Sequence, residues 1–278
     1  MRLWKAHGLG NDYLVWEGER SILCADFVQQ ICHRHCGLGA DGILEPHASS
    51  RASFGVRIWN PDGSIAEKSG NGLRIFAWWI WRTKQQHQFS IDTGSDIVQC
   101  KVDPQTAVVS VEMGKARFVP SQIPCTIPLW GREWLVAGEP LRLWTVGMGN
   151  PHCVAFFSAE VELDTLPWRE WGKELECSEI FPNRSNIQFA KVLDPHHIEI
   201  RIWERGAGET AASGSSSCAV AAVAYRMGWV AEQLSISMPG GRLEIEIGPE
   251  IALNLKGPVT EVGRMELHQN FFLKKRLV

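Results

Sequence analysis

Apolar and polar positions alternate with the period of a strand in several short runs along the 278 residues. Leu3 to Trp16 reads as strand, break, strand, with His7-Gly8-Leu9-Gly10-Asn11-Asp12 as the break. Phe54 to Trp59 alternates up to the turn Asn60-Pro61-Asp62-Gly63, and Gln88 to Met113 reads as a β-meander. Leu141 to Val146, Cys153 to Phe157, Ile187 to Val192 and Ile198 to Trp203 predict further strands. Leu234 to Met238 and Arg242 to Ile247 predict a hairpin about Pro239-Gly240-Gly241. Helical spacing predicts helices over Ala25 to Cys36, with Phe27, Val28, Ile31 and Cys32 on one face, and over Trp168 to Leu175. Two other helices, Leu73 to Trp81 and Cys218 to Met227, carry almost no polar face, and a helix apolar all round is buried.

The order of these elements repeats. Arg57-Ile58-Trp59 stands the same distance before Ser69-Gly70 as Arg201-Ile202-Trp203 stands before Ser213-Gly214. Gly147 to His152 breaks a strand that resumes at Cys153, which parallels Gly8 to Trp16. Such a duplication predicts an α/β (α+β) fold of two similar domains, each with one buried helix entered through a Ser-Gly loop, and the loops meet at a cleft. Three prolines between Pro120 and Pro128 mark the boundary. The expected domains are 1–117 and 118–263, with the tail 264–278 returning to the first.

Composition narrows the partner. The formal charge of −3 is small and neither sign forms a long run, so nothing marks a nucleic-acid or membrane surface. The N-terminus lacks a signal-peptide pattern and no apolar run is long enough to span a bilayer, so a cytoplasmic protein is expected. Eight cysteines without a framework spacing then read as reduced thiols. Cys218, Cys36 and Cys153 read as small core residues. Cys32-His33-Arg34-His35-Cys36 crowds potential ligands together, but neighbours on a helix point apart, so no metal site is expected. The expected partner is a small molecule.

A small carboxylate held between two helix N-termini meets backbone N–H groups of Gly70-Asn71-Gly72 and Gly214-Ser215-Ser216. Residues 69 and 213 then flank the neighbouring carbon on its two faces. That is the arrangement a two-base racemase needs, in which one group removes the α-proton and the other delivers a proton to the opposite face.

His7-Gly-Leu-Gly-Asn-Asp, Gly37-Leu-Gly-Ala-Asp-Gly, Asn60-Pro-Asp-Gly-Ser, Ser69-Gly-Asn-Gly, Gly149-Asn-Pro-His, Ser185-Asn186, Glu204-Arg205-Gly-Ala-Gly-Glu and Pro239-Gly-Gly occur in this order. With them the chain resembles the diaminopimelate epimerases, cofactor-independent racemases of lysine and cell-wall precursor synthesis. The resemblance implies two pseudo-symmetric domains, each a curled sheet around a central helix. It implies that Asn11, Gly70, Asn71, Gly214 and Ser215 hold the reacting end of the amino acid and that Asn60, Asn150, Asn186 and Arg205 reach its distal end. His152 and Glu204 match residues near the reacting centre. Neither metal nor cofactor is implied, and a homodimer is one possible assembly.

One departure stands out. Both acid/base residues of the family are cysteines, and the matched positions here are Ser69 and Ser213. A hydroxyl ionises far above a thiol and removes an α-proton poorly without a partnering base. Three readings stay open: an inactive Cys-to-Ser form, a relative with other chemistry such as elimination or slow exchange assisted by His152 or Glu204, and a non-catalytic amino acid binding protein. A racemase of another polar amino acid, such as histidine, is the rival substrate assignment.

Overall fold

The computed structural model describes residues 1–18, 23–127, 129–268 and 271. Its strands are β1 (Arg2–Gly8), β2 (Asn11–Trp16), β3 (Ile43–His47), β4 (Phe54–Trp59), β5 (Gln88–Asp92), β6 (Ile97–Asp103), β7 (Val108–Lys115), β8 (Trp130–Val136) and β9 (Glu139–Gly147). There follow β10 (Pro151–Phe157), β11 (Asn186–Asp194), β12 (His197–Glu204), β13 (Gly208–Glu209), β14 (Gln233–Met238), β15 (Gly241–Gly248), β16 (Ala252–Pro258) and β17 (Thr260–Glu266). The α-helices are α1 (Ala25–Cys32), α2 (Gly70–Lys84), α3 (Trp168–Glu176) and α4 (Gly214–Arg226).

The ladders show the duplication more fully than the sequence echo does. From β17 through β1, β2, β3, β4, β5, β6 to β7 the pairings run antiparallel, antiparallel, parallel, antiparallel, parallel, antiparallel, antiparallel. From β8 through β9, β10, β11, β12, β14, β15 to β16 the order is the same. The two runs join where β7 pairs antiparallel with β16. Each parallel ladder needs a crossover, and α1, α2, α3 and α4 supply them in matched order.

In each half the sheet bends around its long helix. Helix α2 touches β1, β2, β6, β7 and β16, whereas α4 touches β9 to β12 and β14 to β16. The apolar faces of both helices belong to one continuous core. Smaller clusters lie under α1 on one half and α3 on the other.

Helix α2 starts at the Ser-Gly step, because Ser69 Oγ accepts from Gly72 N at 3.0 Å and caps it. Helix α4 likewise begins at Gly214, four residues before the apolar run expected to open it. Its extra turn is polar but buried, and Ser217 Oγ satisfies itself on the Ser213 carbonyl at 2.8 Å. Helix α1 stops at Cys32 rather than Cys36, since His33 Nδ1 accepts from the amides of His35 and Cys36 and forms a competing turn. That turn leaves Cys36 exposed instead of in the core, while Cys153 and Cys218 are buried.

Strands β3, β8 and β16 escaped the alternation pattern. Strand β3 contains Pro46, which lies beyond the stretch that pairs with β2 and so needs no amide there. Strand β8 is an exposed edge with few inward residues, and β16 ends on Gly257-Pro258, a turn-like pair that nevertheless continues the ladder with β7 opposite Val109 and Val108. Of the connector at 120–128, Pro128 lies outside the described residues, as do 269–270 and 272–278 of the tail; the first tail residues, 264–266, belong to β17 and pair with β1.

Candidate active site

The N-termini of α2 and α4 touch. A Cβ placed on Gly214 would lie 3.1 Å from Gly70 Cα and 2.8 Å from Leu255 Cδ2, so glycine is what lets the two helix starts approach. Around this contact opens a cavity of about 440 Å³ lined by both Ser-Gly loops. A helix leaves its first N–H groups without intrahelical acceptors. Two such groups of donors, each at a positive helix end, therefore converge from opposite halves on one small volume.

The two serines are wired differently. Ser69 Oγ accepts from Gly72 N and from the Tyr13 hydroxyl, both at 3.0 Å. Burial pushes the Tyr13 phenol upward, which keeps it a donor. Ser213 makes no cap; its Oγ donates to Glu204 Oε1 at 3.2 Å, and Thr210 donates to Glu204 Oε2 at 3.1 Å. Burial raises the Glu204 carboxyl above its ordinary value, against the lowering effect of these two hydrogen bonds. One hydroxyl is thus polarised by donors and the other by an acceptor.

Glu204 yields a prediction about stability. Because its folded pKa is raised, the folded chain holds this proton more tightly than the unfolded chain. Stability then falls as pH climbs from the unfolded value through the folded one. Glu204→Gln is expected to raise Tm at pH 8 by about 2–4 °C, with the gap closing below about pH 4, where the carboxyl is protonated in both states. Melting curves at the two pH values check it, and a constant gap would contradict the assignment.

The cavity wall includes Asn11, Asn60, Ser69, Gly70, Asn71, Asn150, Asn186, Glu204, Arg205, Ser213, Gly214 and Ser215, all expected there from sequence. Their amides divide into two sets. Asn71 Nδ2 donates to Asn11 Oδ1 and to the Ala212 carbonyl, each at 3.0 Å, and Asn11 Nδ2 passes on to Asp41 Oδ2 at 2.8 Å. Asn186 donates to the Pro151 carbonyl and accepts from Arg205 N, both at 3.0 Å, which fixes the backbone under the Arg205 side chain. These three amides serve the framework first. Asn60 and Asn150 are each tied by a single side-chain bond, to Ser64 and His152 respectively.

His152 is placed otherwise than expected of an acid/base group. It is 0% exposed and stands behind Asn150, with Nε2 against Asn150 Oδ1 at 2.8 Å and Nδ1 against Gln188 Nε2 at 3.1 Å. Burial pushes its pKa down to about 3, with Arg205 adding repulsion. A neutral ring with both nitrogens engaged orients Asn150.

Sequence reasoning passed over Tyr13, Asp41, Glu67 and Thr210, all of which line the cavity. Tyr13 had a readable signal, since it occupies in β2 the place that His152 occupies in β10. Asp41 lay within the Gly37-Leu-Gly-Ala-Asp-Gly motif. It is held by Arg34 at 2.6 Å, and burial raises its carboxyl with Asp12 adding repulsion. Glu67 meets Arg205 Nη2 at 3.2 Å across the two halves. Among the described residues no group of three or more His, Cys, Asp or Glu converges as a metal site, and no helix is long and apolar enough to cross a membrane.

Two duplicated lobes whose central helices meet end to end at a polar cavity make a fold that solved structures of other proteins share. A hydroxyproline epimerase from Agrobacterium vitis shares it, with a TM-score of 0.67 at 12% identity over 95% of this chain and 91% of that one. A phenazine biosynthesis protein of the PhzF family from Bacillus anthracis does too, with a TM-score of 0.66 at 13% identity over 96% and 99%. Sequence narrows the relationship. The diaminopimelate epimerase family profile matches residues 3–119 and 144–262, and the chain belongs to that family of isomerases. It is 41% identical to diaminopimelate epimerase 2 of Nostoc sp. (strain PCC 7120 / SAG 25.82 / UTEX 2576), over 98% of this chain and 97% of that one. It is 38% identical to the diaminopimelate epimerase of Pseudomonas fluorescens (strain Pf0-1), over 94% and 97%.

Proposed function

We propose that the cleft binds diaminopimelate with the carboxylate of its reacting end between the N-termini of α2 and α4. Ser69 and Ser213 then lie on the two faces of the α-carbon. Such a ligand belongs to lysine and peptidoglycan precursor synthesis in the cytoplasm. The observation that carries this reading is the contact of Gly70 with Gly214, which aims two sets of helix-end donors at one anion. Removing an α-proton puts negative charge onto that carboxylate, and donors fixed in advance stabilise the charge as it develops. Asn60, Asn150 and Arg205 face the distal amino acid group, where a charged end needs polar partners.

With a hydroxyl at both positions, this chain holds its ligand far better than it turns it over. The Ser213–Glu204 bond supports residual chemistry on one face only, because a carboxylate behind the hydroxyl can relay a proton while Ser69 has only donors behind it. The test is calorimetric binding of meso- and LL-diaminopimelate together with solvent deuterium incorporation at the α-carbon. Binding with little or one-faced exchange is the expected result. Tight binding of histidine in place of diaminopimelate would overturn the substrate, and rapid exchange with inversion would overturn the impaired state.

A further inference from the structure

Arg74 lies one turn into α2, 0% exposed, and no carboxylate pairs with it among the described residues. Its Nη2 donates to Asn71 Oδ1 at 2.9 Å, its Nη1 reaches the Gly70 carbonyl at 3.5 Å, and its Nε has no partner. Two glycines make room for it. A Cβ on Gly8 would come within 2.7 Å of Nη2, and one on Gly257 within 3.1 Å of Nε.

This cation stands in an unfavourable place. The N-terminal turn of a helix is already positive, and burying an unpaired charge is costly in desolvation. The other lobe does without such a cation. At the duplicated position one turn into α4 stands Cys218, small, neutral and equally buried. What distinguishes Arg74 is its bond to Asn71, whose own Nδ2 spans to Asn11 and to the Ala212 carbonyl beside Ser213. The guanidinium therefore both fixes the amide that ties the two Ser-Gly loops together and adds its charge to the end of α2.

We infer that Arg74 is a positioning residue that strengthens the hold of the Gly70-Asn71 turn on the ligand's carboxylate, the arriving anion offsetting a charge the empty protein carries unpaired. The inference rests on the ligand placement proposed above.

Its test sets stability against affinity, because a residue needed for packing loses both together. Arg74→Met and Arg74→Lys are compared with the parent by thermal melting without ligand and by calorimetry with meso-diaminopimelate. For Arg74→Met the expected result is an unchanged or higher Tm with affinity weaker by about tenfold or more. Arg74→Lys, which keeps the charge, is expected to bind within about threefold of the parent. If the Met variant does not melt cooperatively, Arg74→Gln takes its place against Arg74→Lys with the same expected gap. Equal affinity in the neutral variant and the parent would overturn the inference alone, as would equal losses of Tm and affinity in the neutral and lysine variants. A parent that does not bind meso-diaminopimelate brings down the ligand placement itself.

Discussion

Changing both serines to cysteine, Ser69→Cys with Ser213→Cys, is expected to raise epimerisation of LL-diaminopimelate by about 10²–10⁴-fold over the parent chain, the range a positioned acid or base contributes. A thiol titrates near neutrality and a helix N-terminus lowers it further, so a thiolate and a thiol can share the site. The surroundings assign the roles. At 69 the Tyr13 hydroxyl and the Gly72 amide favour a thiolate, whereas at 213 the Glu204 carboxylate opposes one. Each single variant should therefore exchange the α-proton for deuterium with little inversion, because one face keeps a hydroxyl. Proton NMR in deuterated buffer reads both exchange and inversion. A double variant that binds meso-diaminopimelate yet exchanges nothing would sink the two-face mechanism.

Arg205→Met should weaken diaminopimelate binding by about 30-fold to several thousandfold, the range for removing one partner of a charged pair in a desolvated site. The side chain is aimed by its surroundings. Asn186 accepts from its backbone amide, and Glu67 holds the guanidinium from the opposite half. An amino acid with an apolar side chain brings no charged group to that end of the cleft, so its affinity should change little. Parallel titrations with diaminopimelate and norleucine separate the outcomes. Equal losses for both would mean that Arg205 supports the cavity as a whole rather than the distal group.

Much of this was legible along the chain because the repeat carries its own check. Arg-Ile-Trp before Ser-Gly occurs twice, and the two helices it introduces are the two that meet. What could not be read was wiring across the halves. Nothing in the order of residues says that Tyr13 reaches Ser69 while Glu204 reaches Ser213, since those bonds depend on how β2 and β12 are set beside the helices. His152 shows the same gap. The resemblance set it near the reacting centre, but β10 directs the ring inward, where burial keeps it neutral. Arg74 sat within a run whose apolar neighbours announced a buried helix, and only the coordinates show a charge buried with them.

Strand β17 completes the first half from the far end of the chain, with Arg2 facing Glu266 and His7 facing Thr260. A ribosome releases this protein amino end first, so the opening lobe waits, one edge unzipped, until nearly all of the second lobe has been made. Contacts so distant in sequence slow folding, and an open strand edge invites pairing with another chain. The two lobes look like copies, yet only the second can close on its own strands as it emerges.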